Sequence, residues 1–170
     1  MATEIDFGKL KLTIEVEGEL SVYTFVGEVE DGFRSEKVPL PTTSRCKFML
    51  SGIEHFNSCG IAEWIYLVKN FGAKSSIEFH ECSIAMTDQM NMVPDSKGSA
   101  TIVSFLAPYF DSKEDEEVTK LIDVEKFRQE LKMLIAPVMK DADGNELEFD
   151  ALEESYFQFL QKDLSSSGAA

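Results

Sequence analysis

The residues best suited to chemistry or recognition form one short polar stretch, residues 57–60, which reads Asn-Ser-Cys-Gly. This stretch follows an apolar segment at residues 46–50 and precedes apolar residues at helical spacing from Ile61 to Phe71. A strand that leads through a polar turn into a helix places the turn beside free backbone N–H groups, where the helix dipole favours negative charge. The pattern therefore predicts a regulatory turn at the surface, with Glu63 of the following helix beside it.

Cys59 supports two further hypotheses. A thiol at a helix N-terminus can act as a nucleophile if a base activates it, and the only two histidines are His55 and His80. No third group that would orient such a base is visible in the sequence, so we predict no catalytic residues and no enzyme activity. A redox or small-molecule sensor that uses Cys59 as a reactive thiol stays open as the alternative function.

The candidate metal ligands do not form a recognised pattern. Two histidines and two cysteines could converge, but their spacing matches no common zinc motif: His55, Cys59, His80 and Cys82. The acidic loop at residues 141–145 departs from the EF-hand pattern, because Glu146 stands where that pattern requires glycine. We therefore predict no metal and no cofactor.

The overall charge narrows the class of partner. The chain of 170 residues carries 16 Lys and Arg against 31 Asp and Glu, a net charge of −15. Such a charge disfavours nucleic acid and anionic membrane surfaces as partners. No apolar run approaches the roughly 20 residues of a membrane-spanning helix, and the acidic N-terminus has no apolar core, so we expect a cytoplasmic protein without a signal peptide. The three cysteines form no close pair, which is typical of reduced thiols rather than of a disulfide framework.

The elements that position the turn follow an α/β order. Alternating apolar residues predict a strand at residues 9–17, and a second strand at 20–26 follows through Gly18, as in a hairpin. From residue 45 onward strands and helices alternate, with strands at 45–50, 76–79 and 100–106 and helices at 61–71 and 84–92. This order predicts parallel strands joined by right-handed crossovers.

The pattern changes after Pro108. The acidic residues 111–117 are interpreted as a solvated linker, and the apolar residues 131–139 as a strand. Asp143-Gly144 is a hairpin turn signal, residues 146–149 are the predicted return strand, and residues 152–160 have helical spacing. We therefore predict a domain at residues 9–106, an acidic β-hairpin and helix appendage at 107–163, and a disordered tail at 164–170.

Two segments share a pattern with a known family. Residues 23–29 read Tyr-Thr-Phe-Val-Gly-Glu-Val, and residues 48–50, Phe-Met-Leu, lead to Phe-Asn-Ser-Cys-Gly-Ile at residues 56–61. Together they resemble the opening strand, the central strand and the Asp-Ser-Ser-Gly-Leu turn of the STAS domain, which is named for sulfate transporters and anti-sigma factor antagonists. The resemblance covers roughly residues 10–106. It implies an α/β fold with a mixed sheet and helices on one face, and a non-enzymatic role in bacterial signalling.

The resemblance also implies a partner and a site. In anti-sigma factor antagonists a regulatory kinase binds the unphosphorylated turn and phosphorylates its second serine. That position is Cys59 here, and Ser58 matches the first serine, so we do not expect phosphorylation at the usual turn position. The expected partner is another protein, kinase-like or otherwise a signalling protein. It would contact the turn and the helix that follows, at Asn57, Ser58, Cys59, Gly60 and Glu63.

A narrower resemblance extends beyond the turn. Residues 57–60 with 63–65, 81–82, 89–92, 104–105 and 107–110 are similar to a group of bacterial STAS-like proteins that carry a zinc-ribbon-like appendage with two Cys-x-x-Cys pairs. The corresponding positions here are Asp111, Glu114, Lys140 and Asp143. None of them supplies a thiolate, and a lysine is not a normal zinc ligand. The resemblance therefore implies a metal-free, degenerate ribbon.

Overall fold

The computed structural model describes residues 1–166, which form two sheets and five α-helices. The strands are β1 (Thr3–Asp6), β2 (Leu10–Glu17), β3 (Leu20–Val29), β4 (Arg45–Phe56), β5 (Ser76–His80), β6 (Thr101–Ile102), β7 (Ser104–Asp111), β8 (Glu116–Asp123) and β9 (Glu148–Phe149). The helices are α1 (Ser58–Gly72), α2 (Ile84–Met92), α3 (Arg128–Lys132), α4 (Glu153–Tyr156) and α5 (Gln158–Ser166). Short 3-10 helices lie at Ser35–Lys37 and Pro94–Ser96. No helix within residues 1–166 is long and apolar enough to cross a membrane.

The larger sheet has six strands in the order β1-β2-β3-β4-β5-β6. The first three are antiparallel, because β2 turns back into β3 through Gly18, whose φ of 61° suits a hairpin turn. The strands β3 to β6 are parallel, and the helices α1 and α2 connect β4 to β5 and β5 to β6. The prediction of an α/β fold with a mixed sheet is confirmed.

One face of this sheet forms the main core. Its inward side chains are buried on four neighbouring strands: Leu10, Leu12, Tyr23, Phe25, Phe48, Leu50, Ile77 and Phe79. The helix α1 covers them with Trp64, whose ring lies 5.1 Å from that of Phe25, and with Phe71, 5.4 Å from Phe48. Aromatic edge-to-face pairs of this kind add to the burial of apolar area. The end of β4 and the start of α1 are therefore fixed by the most densely aromatic part of the molecule.

The chain passes from the larger sheet to the smaller one through a single residue, Val103. The Val103 N–H donates to the carbonyl of Phe79 in β5 at 2.9 Å, and its own carbonyl accepts the N–H of Val124, just after β8, at 3.0 Å. The next strand, β7, is central in the order β8-β7-β9. The predicted strand at 100–106 thus divides into β6 and β7, and the predicted domain limit at 106 falls within β7.

The C-terminal helices pack back onto the first part of the chain. Phe105 of β7 lies within 6.1 Å of Phe157 and 5.2 Å of Phe159, measured between ring centroids. The Asn91 side chain of α2 donates to the carbonyl of Tyr156 at 2.9 Å and accepts the N–H of Phe159 at 2.8 Å. Residues 104–166 therefore continue the core of the larger sheet.

Three C-terminal predictions differ from the structure. The predicted strand at 131–139 is wrong, because the chain forms α3 and then an irregular segment in which Leu134 has a φ of 59°. The predicted acidic linker at 111–117 is a tight turn followed by β8, an edge strand on which exposed acidic side chains are well tolerated. The predicted tail begins too early, since Leu164 is buried and α5 continues to Ser166; residues 167–170 lie outside the described residues.

Candidate partner-binding site

Asn57 forms the N-terminal cap of α1. Its backbone is extended, with φ −108° and ψ 176°, and its side-chain oxygen accepts the N–H of Gly60 at 2.8 Å. Its own N–H donates to the carbonyl of Val29 at the end of β3, at 3.2 Å. Asparagine is a preferred cap because its short side chain reaches the free N–H groups of the first turn. The predicted helix start is therefore confirmed within a few residues, and the turn is hydrogen-bonded to the end of β3.

Asp31 fixes the turn from the neighbouring loop. Its carboxylate accepts a hydrogen bond from the side-chain N–H of Asn57 at 2.8 Å. That bond, and after it the nearby Cys59 thiol, lowers the pKa of the Asp31 carboxyl, and the nearby Arg34 contributes in the same direction. Asp31 is not among the residues predicted from the sequence. The signal was its place just beyond β3, since the carboxyl ends of parallel neighbours such as β3 and β4 meet at one edge of a sheet.

Gly60 is the point at which α1 packs most closely on β3. The residue is buried, and a Cβ atom added to it would lie 1.8 Å from the carbonyl oxygen of Val29. The helix α1 can approach β3 this closely only because residue 60 has no side chain. The glycine of the turn therefore sets the distance between helix and sheet.

Glu63 holds a neighbouring segment in place. Its carboxylate accepts both the N–H of Ser35, at 2.7 Å, and the hydroxyl of Ser35, at 2.8 Å. The bond from the backbone N–H is the main cause of the lowered pKa of the Glu63 carboxyl. Glu63 thus fastens the 3-10 helix at Ser35–Lys37 to α1, and its carboxylate is already occupied by that contact.

The residues that face outward here share one side of the turn and of α1. Ser58, Cys59 and Ala62 are exposed, and Tyr66, seven residues after Cys59, is on the same helical face with 60% of its surface exposed. We call these four residues the turn–helix surface. Leu40, also exposed, lies beside α1 across a small cavity of about 120 Å³. Tyr66 was not predicted, although its spacing from Cys59 was visible in the sequence.

The two histidines lie beside carboxylates. The Nε2 atom of His80 lies 3.0 Å from a carboxylate oxygen of Glu78, and His55 lies near Glu30, whose pKa is lowered mainly by Lys9 and in part by His55. The thiols of Cys46 and Cys82 are buried, and burial raises the pKa of both.

The Cys59 thiol lies beside the Asp31 carboxylate, whose pKa it helps to lower after Asn57. The hypothesis of a thiol sensor stays a prediction. Within residues 1–166 no three His, Cys, Asp or Glu side chains converge as metal ligands.

The four ribbon-like positions come together as two adjacent turns. Asp111 accepts the N–H groups of Lys113 and Glu114 at 3.0 and 3.2 Å, and Lys113 forms an ion pair of 3.3 Å with Asp143 in the second turn. The Asp111 carboxylate is thus occupied by hydrogen bonds within its own turn, and the ammonium group of Lys113 lies between the two turns. These residues do not fit a zinc ion, which needs four deprotonated ligands.

Comparisons with known proteins leave the family open. No family model matches the chain, and no curated protein matches it. The fold defines an α/β protein with a mixed six-stranded sheet, and its candidate site is a braced polar turn at the start of a helix.

Proposed function

We propose that this protein is a non-catalytic protein–protein interaction module of bacterial cytoplasmic signalling, and that its partner binds the turn–helix surface. The observation that carries the proposal is the Asp31 carboxylate, which accepts a hydrogen bond from Asn57, the cap of α1, and so fixes a turn whose outer side chains stay exposed. A turn held in one conformation loses little conformational entropy when a partner binds it. Rigid, exposed polar groups of this kind are typical of recognition surfaces.

Tyr66 supports the same proposal. An exposed tyrosine combines a large apolar ring with a polar hydroxyl, and tyrosines are enriched among the residues that contribute most to interface affinity. It lies two turns along α1 from Cys59. A partner that covers the turn would therefore also cover the ring.

The STAS resemblance supports a kinase-like or other signalling partner. Cys59 stands at the position where the family's kinases phosphorylate serine, and a thiol is not an acceptor for such a kinase. The surface would then remain in the binding form at all times, so this protein would hold its partner without the usual release by phosphorylation. Ser58 is exposed, but the resemblance does not place the acceptor there.

The test is affinity capture from a lysate of the source cells, read by mass spectrometry. Cys59→Arg and Tyr66→Ala each change one exposed residue of the turn–helix surface, and Leu121→Ala changes an exposed apolar residue of β8 as the matched control. We expect a specific protein to be retained by the wild type and by Leu121→Ala and lost in the two surface variants. Retention by all four proteins, with circular dichroism confirming that they fold, would contradict the proposed surface.

A further inference from the structure

A groove runs beside α4: its smaller part lies between α2 and the segment that contains α4, and its larger part is lined by β9, α4 and their neighbours. It consists of two depressions, of about 970 and 420 Å³, which share Ala151, Leu152 and Ser155. We call this feature the α2–α4 groove. It has no residue in common with the turn–helix surface, and it does not depend on the function proposed above.

Two apolar side chains stand exposed in the groove. Leu152 and Met92 have 78% and 72% of their surface exposed, and both line the smaller depression. Neighbouring apolar side chains left open to water are typical of surfaces that a partner covers. Methionine is flexible and polarisable, so it adapts to the apolar face of a partner.

The charges of the groove all have one sign. Its charged lining residues are Asp88, Glu148, Glu153 and Glu154, and no lysine or arginine of the described chain lines either depression. Glu153 accepts the N–H of Ala136 at 2.9 Å, whereas no ion pair within residues 1–166 involves Asp88, Glu148 or Glu154. Burial raises the pKa of the Asp88 carboxyl, as expected for a partly desolvated acid that lacks a cation.

The walls of the groove are firmly held. The two hydrogen bonds of Asn91, to Tyr156 and Phe159, join α2 to the opposite wall. The ring of Tyr156 packs 5.7 Å from that of Phe149 beneath the groove, and its hydroxyl donates to the carbonyl of Leu106 at 2.9 Å. The groove therefore exists before any partner binds, so little ordering is needed on binding.

We propose that the α2–α4 groove binds a basic amphipathic helix of another protein. Met92 and Leu152 contact the apolar face of that helix, and Asp88, Glu148 and Glu154 contact its lysine or arginine side chains. Insertion of an amphipathic helix into an apolar groove is a common mode of recognition, and the acidic lining selects for basic residues beside the apolar face.

The experiment measures fluorescence anisotropy of a labelled, helical peptide of about 18 residues that places leucines on one face and lysines on the other. A scrambled peptide of the same composition controls for the net charge of −15, which attracts any basic peptide. We expect the amphipathic peptide to bind at least roughly tenfold more tightly than the scrambled one. Equal affinity of the two peptides, or no binding of either, would overturn the proposal.

The variants Met92→Ser and Leu152→Ser test whether the peptide occupies the groove. Met133→Ser is the matched control, because Met133 is also exposed, at 68%, but does not line the groove. We expect each groove variant to weaken binding roughly tenfold and the control to change it little. Equal effects of Met92→Ser and Met133→Ser would contradict binding in the groove.

A measurement on the wild type avoids any question of variant folding. Met92 and Met133 both oxidise with hydrogen peroxide when exposed, and peptide mapping reports each rate separately. Bound peptide should slow the oxidation of Met92 and leave that of Met133 unchanged. Unchanged oxidation of Met92 at saturating peptide would overturn the proposal.

Discussion

The turn–helix surface and the α2–α4 groove present two different kinds of recognition on one molecule. The first is a polar turn that two hydrogen bonds of the Asn57 side chain, to Asp31 and from the Gly60 N–H, hold in place, with one exposed aromatic ring. The second is a concave surface with two exposed apolar side chains and an acidic lining. A partner of the turn must match the positions of polar groups, whereas a partner of the groove must supply apolar area and positive charge. The two surfaces should therefore respond differently to mutation and to salt.

The largest loss of stability is expected from Gly60→Ala. This substitution should affect binding at the turn–helix surface but not at the α2–α4 groove. The added Cβ would lie 1.8 Å from the carbonyl oxygen of Val29, so α1 must move away from β3, and we expect a loss of about 3 kcal/mol or more in the free energy of unfolding. Urea denaturation measures this loss. Peptide binding to the groove should persist in the folded variant while partner capture is lost.

Gly144→Ala is the matched control for this substitution. A Cβ at Gly144 meets no atom within 4 Å, but the residue has a φ of 87°, so only backbone strain of about 1–2 kcal/mol is expected. If the two glycine variants lose equal stability, the absence of a side chain at Gly60 is not what allows α1 to approach β3 closely. If Gly60→Ala abolishes peptide binding as well, the two surfaces are coupled.

A smaller effect is expected from Asn57→Ala, which removes the cap of α1. We expect a loss of about 1 kcal/mol in the free energy of unfolding, because the Gly60 N–H and the Asp31 carboxylate both lose their bond to this side chain. Thermal unfolding measures this loss. Partner capture should weaken by more than a loss of about 1 kcal/mol in stability would cause, because the turn that the partner contacts becomes mobile. Ser155→Ala, which removes an exposed hydroxyl from the groove lining, should leave partner capture intact.

The pH dependence of stability tests whether the Asp31 carboxylate stabilises the turn. The pKa of this carboxyl is lowered in the folded protein, so its contribution is present above the unfolded value of about 3.9 and is lost as the pH falls through the folded value. We therefore expect Asp31→Asn to flatten the stability profile below that unfolded value, measured by urea denaturation across the acid range. A profile identical to that of the wild type would show that the hydrogen bond from Asn57 and the nearby Cys59 thiol do not favour the ionised form of Asp31.

The smallest effect is expected outside both surfaces, at the ion pair of Lys113 and Asp143. Both side chains are more than half exposed, so the pair should contribute less than about 1 kcal/mol, as a double-mutant cycle would show. Because these turns do not fit zinc, a chelator should not change the melting temperature. A drop in melting temperature with chelator would indicate a metal ion that these residues were not expected to bind.

Much of the first part of the fold was predictable, because alternation and helical spacing are strong there. The period of two in β2 and the spacing of apolar residues in α1 and α2 gave nearly correct limits for these elements. The strand β4 extends beyond the predicted end at Leu50 to Phe56, since Gly52 and three residues after it pair with β3 across an irregular register. Local sequence does not show such pairing.

The C-terminal part was less predictable because its elements depend on distant contacts. The apolar residues 131–139 have the composition of a strand, but Pro137 and the left-handed backbone of Leu134 prevent one, and the carbonyl of Pro137 instead accepts the hydroxyl of Tyr109 at 2.7 Å. Asp31 was missed for a similar reason. Its importance comes from the side chains that the parallel pairing of β3 and β4 brings to it, and these are more than 25 residues away in the sequence.

Val103 has a consequence for how this protein can be divided. Its N–H donates to a residue of the larger sheet, and its carbonyl accepts from a residue just after β8 of the smaller sheet. The chain therefore enters the smaller sheet directly from the larger one, without a linker. A fragment that ends after Leu106 would lack Phe157 and Phe159, which pack against Phe105. The Phe105 side chain, part of the core in the intact chain, would then be exposed to water. The two halves should therefore melt in a single transition and fail to reassemble as independently expressed fragments. Mapping of either binding surface thus requires point substitutions in the intact chain.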